Sequence, residues 1–321
     1  MPDDAAVIQI PHGKLAVHTV DQFSALVDDP YIFGQICVNH CLSDLFAMGA
    51  TPHNALALTT IPYGNEKIQE ETLYQLLSGA MRALGSAKTF LVGGHTTEGA
   101  DLSLGFACNG WIDPAETWKK SGLVPGQSLI LTKALGTGTL FAADQQKQAK
   151  GRWIEAAIAS MLLSNQSAAT CLKQHGTTAC TDVTGFGLAG HLLEMLNASQ
   201  VGADIDLSAL VDDHNGLSGL LPGVINTLDK SLVSSLHQRN LTGALPSIKL
   251  GRTPDHLPHF QILFDPQTSG GLLASVPKEN TAACLESLCK AGYVHSRCIG
   301  TVTEPSQSAN RLAKPLTLVK W

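Results

Sequence analysis

Aromatic side chains are scarce: nine Phe, four Tyr and four Trp amount to 5% of the 321 residues. So thin a set supplies no platform for stacking bases. Positive charge is short as well, since 21 Lys and Arg against 27 Asp and Glu leave a formal net charge of -6. Nucleic-acid affinity rests on cations that neutralise phosphates, so no nucleic-acid partner is expected. No apolar run reaches the roughly 18 residues that a membrane helix needs, and Met1-Pro2-Asp3-Asp4 is acidic where a secretory signal would be basic and then apolar. The eight cysteines form neither a Cys-x-x-Cys pair nor a zinc-finger spacing and read mostly as small buried hydrophobes in a reducing, cytoplasmic setting. Walker A and complete G-x-G-x-x-G patterns are missing too, which removes the main support for P-loop and Rossmann readings; Gly136-Thr137-Gly138 is a fragment of either.

What remains is a composition of 44% hydrophobic and 15% charged residues, that of a well-buried α/β protein. The length sets an expectation of two domains, each able to bury its own core. Ala5–Ile10 and Lys14–Val20 flank Pro11-His12-Gly13 as a hairpin, and Asp28-Asp29-Pro30 supplies an N-cap and an N1 proline for a helix that stops at Gly49. His40 and Asp44 lie one turn apart on that helix, hence on one face. A strand over 55–59, a helix over 69–84 and a strand over 89–92 follow in β-α-β order, the last ending in a turn at Gly93-Gly94-His95-Thr96. After a strand over 102–111, the polar stretch from Asp113-Pro114 to Ser121 reads as a connector, so the domains are placed at 1–113 and 114–321. The second half restarts with a buried-type strand at 128–133, a glycine turn and a helix. A long helix over 154–175 carrying Asn165 follows, then loops and short helices across 211–250, the turn and strand of 264–276, a helix over 279–291 and a strand near 298–302.

The chemistry concentrates in Thr181-Asp182-Val183-Thr184-Gly185-Phe186-Gly187-Leu188-Ala189-Gly190-His191, which sets one carboxylate against three glycines at the start of a helix. Glycines let backbone N–H groups approach an anion, and the helix start carries partial positive charge. Two readings stand level on this segment alone: a phosphate and metal site, or a tight turn with Asp182 as N-cap. Further glycine turns and aspartates in separate segments point to a phosphate and Mg²⁺ site assembled from distant parts of the chain. His95 and His191 read equally as ligand contacts or as hydrogen-bonded structural groups. Lys133 reads as a snorkelling strand-end lysine, Asn165 is a weaker candidate, Asp265 caps a turn, and Cys37 and Cys41 belong to the core.

Asp3-Asp4-Ala5-Ala6-Val7, Asp28-Asp29-Pro30-Tyr31, Leu42-Ser43-Asp44-Leu45-Phe46-Ala47-Met48-Gly49, Gly93-Gly94-His95, Asp182-Val183-Thr184-Gly185-Phe186-Gly187 and Asp265-Pro266-Gln267-Thr268-Ser269-Gly270-Gly271 together resemble selenophosphate synthetase, or selenide, water dikinase, over nearly the whole chain. The wider superfamily includes aminoimidazole ribonucleotide synthetase and thiamine monophosphate kinase. The resemblance implies an α/β (α+β) two-domain aminoimidazole ribonucleotide synthetase-like fold, whose N-terminal sheets pair in a homodimer with ATP bound near the interface. It implies conversion of ATP, selenide and water to selenophosphate, AMP and orthophosphate. Asp4, Asp21, Asp44 and Asp182 would ligate Mg²⁺ on the ATP phosphates, and Asp21, Asp44, Gly94, His95 and Thr96 would contact the nucleotide. In the family a glycine-rich arm with a catalytic cysteine or selenocysteine and a lysine precedes the Asp-Asp-Ala-Ala-Val segment, whereas here Met1-Pro2 precede Asp3. No catalytic residue is therefore assigned, and incomplete activity of this stretch alone, as one part of a larger polypeptide, is the expectation. His40 stands where the family has asparagine, and Ser235–Asn240 replaces a more glycine-rich segment. Two other readings stay open: a related ATP-dependent phosphotransferase with another acceptor, and a non-catalytic ATP-binding or dimerisation module attached to a different domain.

Overall fold

The computed structural model describes residues 6–9, 13–211, 218–250, 257–305 and 315–320. They form two compact units, one of the described residues from Ala6 to Thr117 together with Met161–Gln166, the other of Trp118–Ser160 and the described residues from Ser167 to Lys320.

The first unit is built on strands β1 (Ala6–Gln9), β2 (Leu15–Ser24), β3 (Thr51–Pro62), β4 (Phe90–Gly99) and β5 (Ser103–Ile112), with helices α1 (Pro30–Ala47) and α2 (Glu66–Ser86). The expected hairpin is present, β1 pairing antiparallel with β2 from Ala6↔His18 to Gln9↔Leu15. The sheet runs in the order β1-β2-β5-β3-β4, with β3 and β4 parallel across the α2 crossover. α1 begins where the sequence signals it: the Asp29 carboxylate accepts from the Ile32 N–H at 3.0 Å and Pro30 takes the first turn, a cap worth about 1 kcal/mol. Alternation along β2 turns Val17, Thr19, Asp21 and Phe23 toward α1, and Phe23 meets Phe33 edge-on at 5.6 Å.

One expectation fails here. Gly93, Gly94, His95 and Thr96 do not turn at a strand end; they continue β4, paired to Leu56, Ala57, Leu58 and Thr59. A Cβ on Gly94 would lie 2.3 Å from the Ala57 carbonyl oxygen, so the glycine allows β3 and β4 to approach and does not bend the chain.

The second unit carries a seven-stranded mixed sheet of β6 (Ser128–Leu131), β7 (Cys180–Asp182), β8 (Gly202–Asp206), β9 (Ile248–Leu250), β10 (Leu272–Val276), β11 (Arg297–Thr303) and β12 (Leu316–Lys320), ordered β7-β10-β6-β11-β8-β12-β9. The remaining helices are α3 (Thr137–Gln145), α4 (Gly151–Leu162), α5 (Gln166–Gln174), α6 (Gly187–Ser199), α7 (Ser208–Val211), α8 (Val224–Asp229), α9 (His237–Ala244), α10 (Leu257–Gln261) and α11 (Thr281–Lys290). The single long helix expected over 154–175 is two helices, α4 and α5. Ser164 interrupts it, its hydroxyl accepting from the Gln166 N–H at 3.2 Å, and Asn165 in the break donates to Ser43 Oγ at 2.8 Å within the first unit. β10 and β6 are buried along their whole length, as expected of strands at the centre of a layered core. No helix among the described residues is long and apolar enough to cross a membrane.

Candidate functional site

In the first unit the sequence-expected carboxylates meet on one surface. α1 lies on β2 so that the helix face of Cys37, His40, Cys41 and Asp44 rests on Thr19, Asp21 and Phe23. The Thr19 hydroxyl donates to the Asp44 carboxylate, and His40 Nε2 stands 3.8 Å from Asp21 Oδ2. Phe23 packs edge-on against the His40 ring at 4.9 Å, and the Cys41 thiol donates to the Asp21 carbonyl at 3.4 Å. Burial raises the Asp21 carboxyl above its ordinary value. Thr19 was not singled out from the sequence, although period-2 alternation places it on the same face of β2 as Asp21.

The oxygen-rich donor set of Asp21 and Asp44 fits a hard divalent cation, which takes carboxylates and leaves its other positions to water and phosphate oxygens. The described residues contain no group of three or more His, Cys, Asp or Glu side chains arranged to hold a metal by themselves. Asp4 lies outside the described residues. Cys37, Cys41 and Cys108 are buried beneath the Asp21 and Asp44 surface. Burial pushes the Cys37 and Cys108 thiols well up, so they remain neutral packing groups, Cys37 donating to the Leu104 carbonyl at 3.2 Å. Gly94, His95 and Thr96 are not brought to this surface. Their strand is separated from β2 by β5 and β3, three inter-strand spacings or about 14 Å.

In the second unit, Asp182 is the last residue of β7, opposite Leu272 of β10, and is 2% exposed. It does not cap α6, whose N-cap position is Phe186. The turn between them is fixed from several sides. The Val183 N–H donates to the Gly271 carbonyl at 2.9 Å, the Gln267 N–H to Thr184 O at 2.9 Å, and the Asn240 side-chain amide to Gly185 O at 2.9 Å. Gly187 adopts φ 69°, and a Cβ there would crowd the Leu263 carbonyl at 2.9 Å. His191 is a structural group: its Nε2 accepts the Thr184 N–H at 3.1 Å, and burial, with the nearby Lys120 charge, drives its pKa down to about 3.

Lys133 does not snorkel. It is buried, its ammonium donates to Ser269 O at 2.9 Å, and burial lowers its pKa to about 7 against the opposing pull of Asp182. Asp265-Pro-Gln-Thr-Ser-Gly-Gly serves as a clamp for these parts. Gln267 Oε1 accepts from the N–H groups of Gly136 and Thr137 at 2.9 and 3.2 Å, capping α3. The Asp265 carboxyl, pushed up to about 7 by burial, is met by the Gln267 amide at 2.8 Å and by the N–H groups of Gly138 and Thr139. A Cβ on Gly270 would sit 2.0 Å from the Val183 carbonyl, so this motif and the Asp182 turn touch backbone to backbone.

Residues 2–112 match the family model of the AIR synthase related protein N-terminal domain, and residues 124–310 that of its C-terminal domain. A selenide, water dikinase from Nitratidesulfovibrio vulgaris (strain DP4) is 36% identical over 319 residues, covering 97% of this chain and 85% of that protein. The chain belongs to the selenide, water dikinase family. One from Desulfitobacterium hafniense (strain Y51) is 37% identical over 291 residues, covering 90% of this chain and 81% of the relative. Among solved structures, thiamine-monophosphate kinase from Stenotrophomonas maltophilia K279a superposes with a TM-score of 0.69 at 18% identity, over 98% of this chain and 89% of that one. Hydrogenase maturation protein HypE in complex with ATP gives 0.69 at 16% identity, over 94% of this chain and 80% of that one. At those identities the likeness establishes the shared AIR synthase-like fold, an expectation of the sequence that holds. The dikinase identity rests on the closer relatives.

Proposed function

We propose that the chain uses ATP and water to convert selenide to selenophosphate, with AMP and orthophosphate as the other products. The observation that carries this reading is the 36% identity to a selenide, water dikinase over 97% of the chain. The oxygen donors of Asp21 and Asp44, brought to one surface by α1 on β2, suit Mg²⁺ on the ATP phosphates, with Thr19 and His40 orienting the two carboxylates. Asp4 and Asp182 are proposed as further ligands by their place in the family motifs. Bound there, Mg²⁺ would neutralise phosphate charge, which is most of what phosphoryl transfer requires.

Gly94, His95 and Thr96 are proposed nucleotide contacts. Their distance from β2 within one sheet suits a nucleotide held against a second copy of the sheet, so the reading includes a homodimer. Matches to both the N-terminal and the C-terminal family models favour an enzyme over a bare nucleotide-binding module.

The test is the formation of AMP and selenophosphate from Mg·ATP by the chain joined to the family's glycine-rich arm, followed by ³¹P NMR with and without selenide. Selenide-dependent AMP formation is expected, together with loss of Mg·ATP binding in Asp44→Asn at unchanged far-UV circular dichroism. ATP binding without any selenide-dependent AMP overturns the reaction. Undiminished Mg·ATP binding by Asp44→Asn overturns the metal assignment.

A further inference from the structure

The second unit holds a cleft of about 360 Å³ between α6 and α9, a volume in the range of small-molecule sites. Its first wall is one face of α6: Phe186, Gly190, Leu193 and Asn197 recur at helical spacing. The second wall is α9, with Arg239, Asn240, Gly243 and Ala244, and Ser247 in the turn of 3-10 helix that follows it. Each wall includes a glycine, Gly190 in the first and Gly243 in the second.

Gly243 is the informative one. Glycine is the poorest helix former after proline, and inside a helix it usually answers to a close neighbour. Here a Cβ would meet nothing within 4 Å. Packing therefore does not call for this glycine, which is exposed at the C-terminal end of α9 and has room for a larger side chain.

The walls are held in place. The Asn240 side-chain amide donates to Gly185 O at 2.9 Å and to Phe264 O at 3.0 Å, tying α9 to the turn that precedes α6. Charge within the cleft is uneven. Glu194 is answered by Lys120 at 2.9 Å, whereas Arg239 enters no ion pair among the described residues. In the same lining the Phe186 ring is 56% exposed. A guanidinium binds carboxylate or phosphate through paired N–H groups, and an open aromatic face takes a flat apolar body.

We propose that this cleft binds a small organic anion, its carboxylate or phosphate on Arg239 and its flat apolar portion against Phe186. None of the carboxylates assigned to Mg·ATP is among the residues that line this cleft.

Phenyl phosphate and phenylacetate are the probes, with benzyl alcohol as the neutral counterpart, titrated into the full chain by calorimetry and ligand-observed NMR. Saturable one-to-one binding of at least one anion is expected, and which one binds tells phosphate from carboxylate. Benzyl alcohol should bind roughly tenfold more weakly, and Arg239→Gln should weaken the anion by a similar factor. Gly243→Leu, a good helix former whose side chain enters the cleft, should abolish binding without lowering the melting temperature. Absence of saturable binding for both anions overturns the proposal, as does binding that Arg239→Gln leaves unchanged or benzyl alcohol that binds as tightly. Should Gly243→Leu fail to fold, Arg239→Gln, a change at an exposed side chain, decides alone.

Discussion

His191 shows how a residue placed in a functional motif can serve it without touching a ligand. Its Nε2 accepts the Thr184 N–H only when unprotonated, and the folded pKa of about 3 lies below the ordinary 6.5. A folded value depressed in this way gives stability that is complete above about pH 6.5 and is lost as pH falls toward 3. Asp265 has the opposite sign: its folded value of about 7 lies above the ordinary 3.8, so its contribution is complete below pH 3.8 and fades as pH rises through 7. His191→Phe leaves the Thr184 N–H without its acceptor and should cost about 1–3 kcal/mol at pH 7.5. The same variant should lose less stability than the parent chain between pH 6.5 and 4. Urea unfolding at pH 7.5, 6.5 and 4 checks both outcomes, and an equal loss in parent and variant would remove His191 as the source of acid sensitivity.

At the scale of elements, the Asp265–Gly271 segment works on a helix about 130 residues earlier in the chain. Gln267 Oε1 takes the first N–H groups of α3, which has no side-chain cap of its own at Gly136. Gln267→Leu should therefore speed amide exchange at Gly136 and Thr137 and lower stability by about 1–3 kcal/mol. Unchanged exchange at those two amides would show that the cap is dispensable. The turn and strand of this segment were legible in the sequence, as were the β1–β2 hairpin, the Asp29-Pro30 start of α1 and the shared face of His40 and Asp44, because each depends on neighbours a few residues away. The partner of Gln267 was not legible, because a side chain that caps a distant helix leaves no local pattern. The same limit explains Lys133, read as a snorkelling strand end but buried against Ser269 O. At Gly93-Gly94 the glycines looked like a turn, yet their need comes from the approach of β3 across the sheet. The break between α4 and α5 was carried by Ser164, a weaker signal than proline or glycine. β12 was missed, since its parallel partners β8 and β9 lie far away in sequence.

For the whole molecule, the two faces of the first sheet are treated unequally. α1 and α2 cover one face, while on the other Val20, Ala107 and Leu56 stand opposite one another in a row across β2, β5 and β3. Val20 is 59% exposed and Leu56 41%, and on the neighbouring edge strand Val92 is 60% exposed. β-branched and aliphatic side chains on an uncovered sheet form the kind of apolar patch that marks an interaction surface. A second copy would meet the same row in reverse, since a two-fold interface is self-complementary. Replacing Val20 and Leu56 together by Glu places like charges across that two-fold and buries them if the faces pair. The parent chain should therefore sediment as a dimer at micromolar concentration and the double variant as a monomer with unchanged far-UV circular dichroism. Because Gly94, His95 and Thr96 are proposed to meet the nucleotide at that junction, Mg·ATP binding should weaken along with dimerisation. A monomeric parent chain, or a double variant that still dimerises, would remove this face as the dimer contact. A monomeric variant that binds Mg·ATP as tightly as the parent would place the whole nucleotide site within one chain.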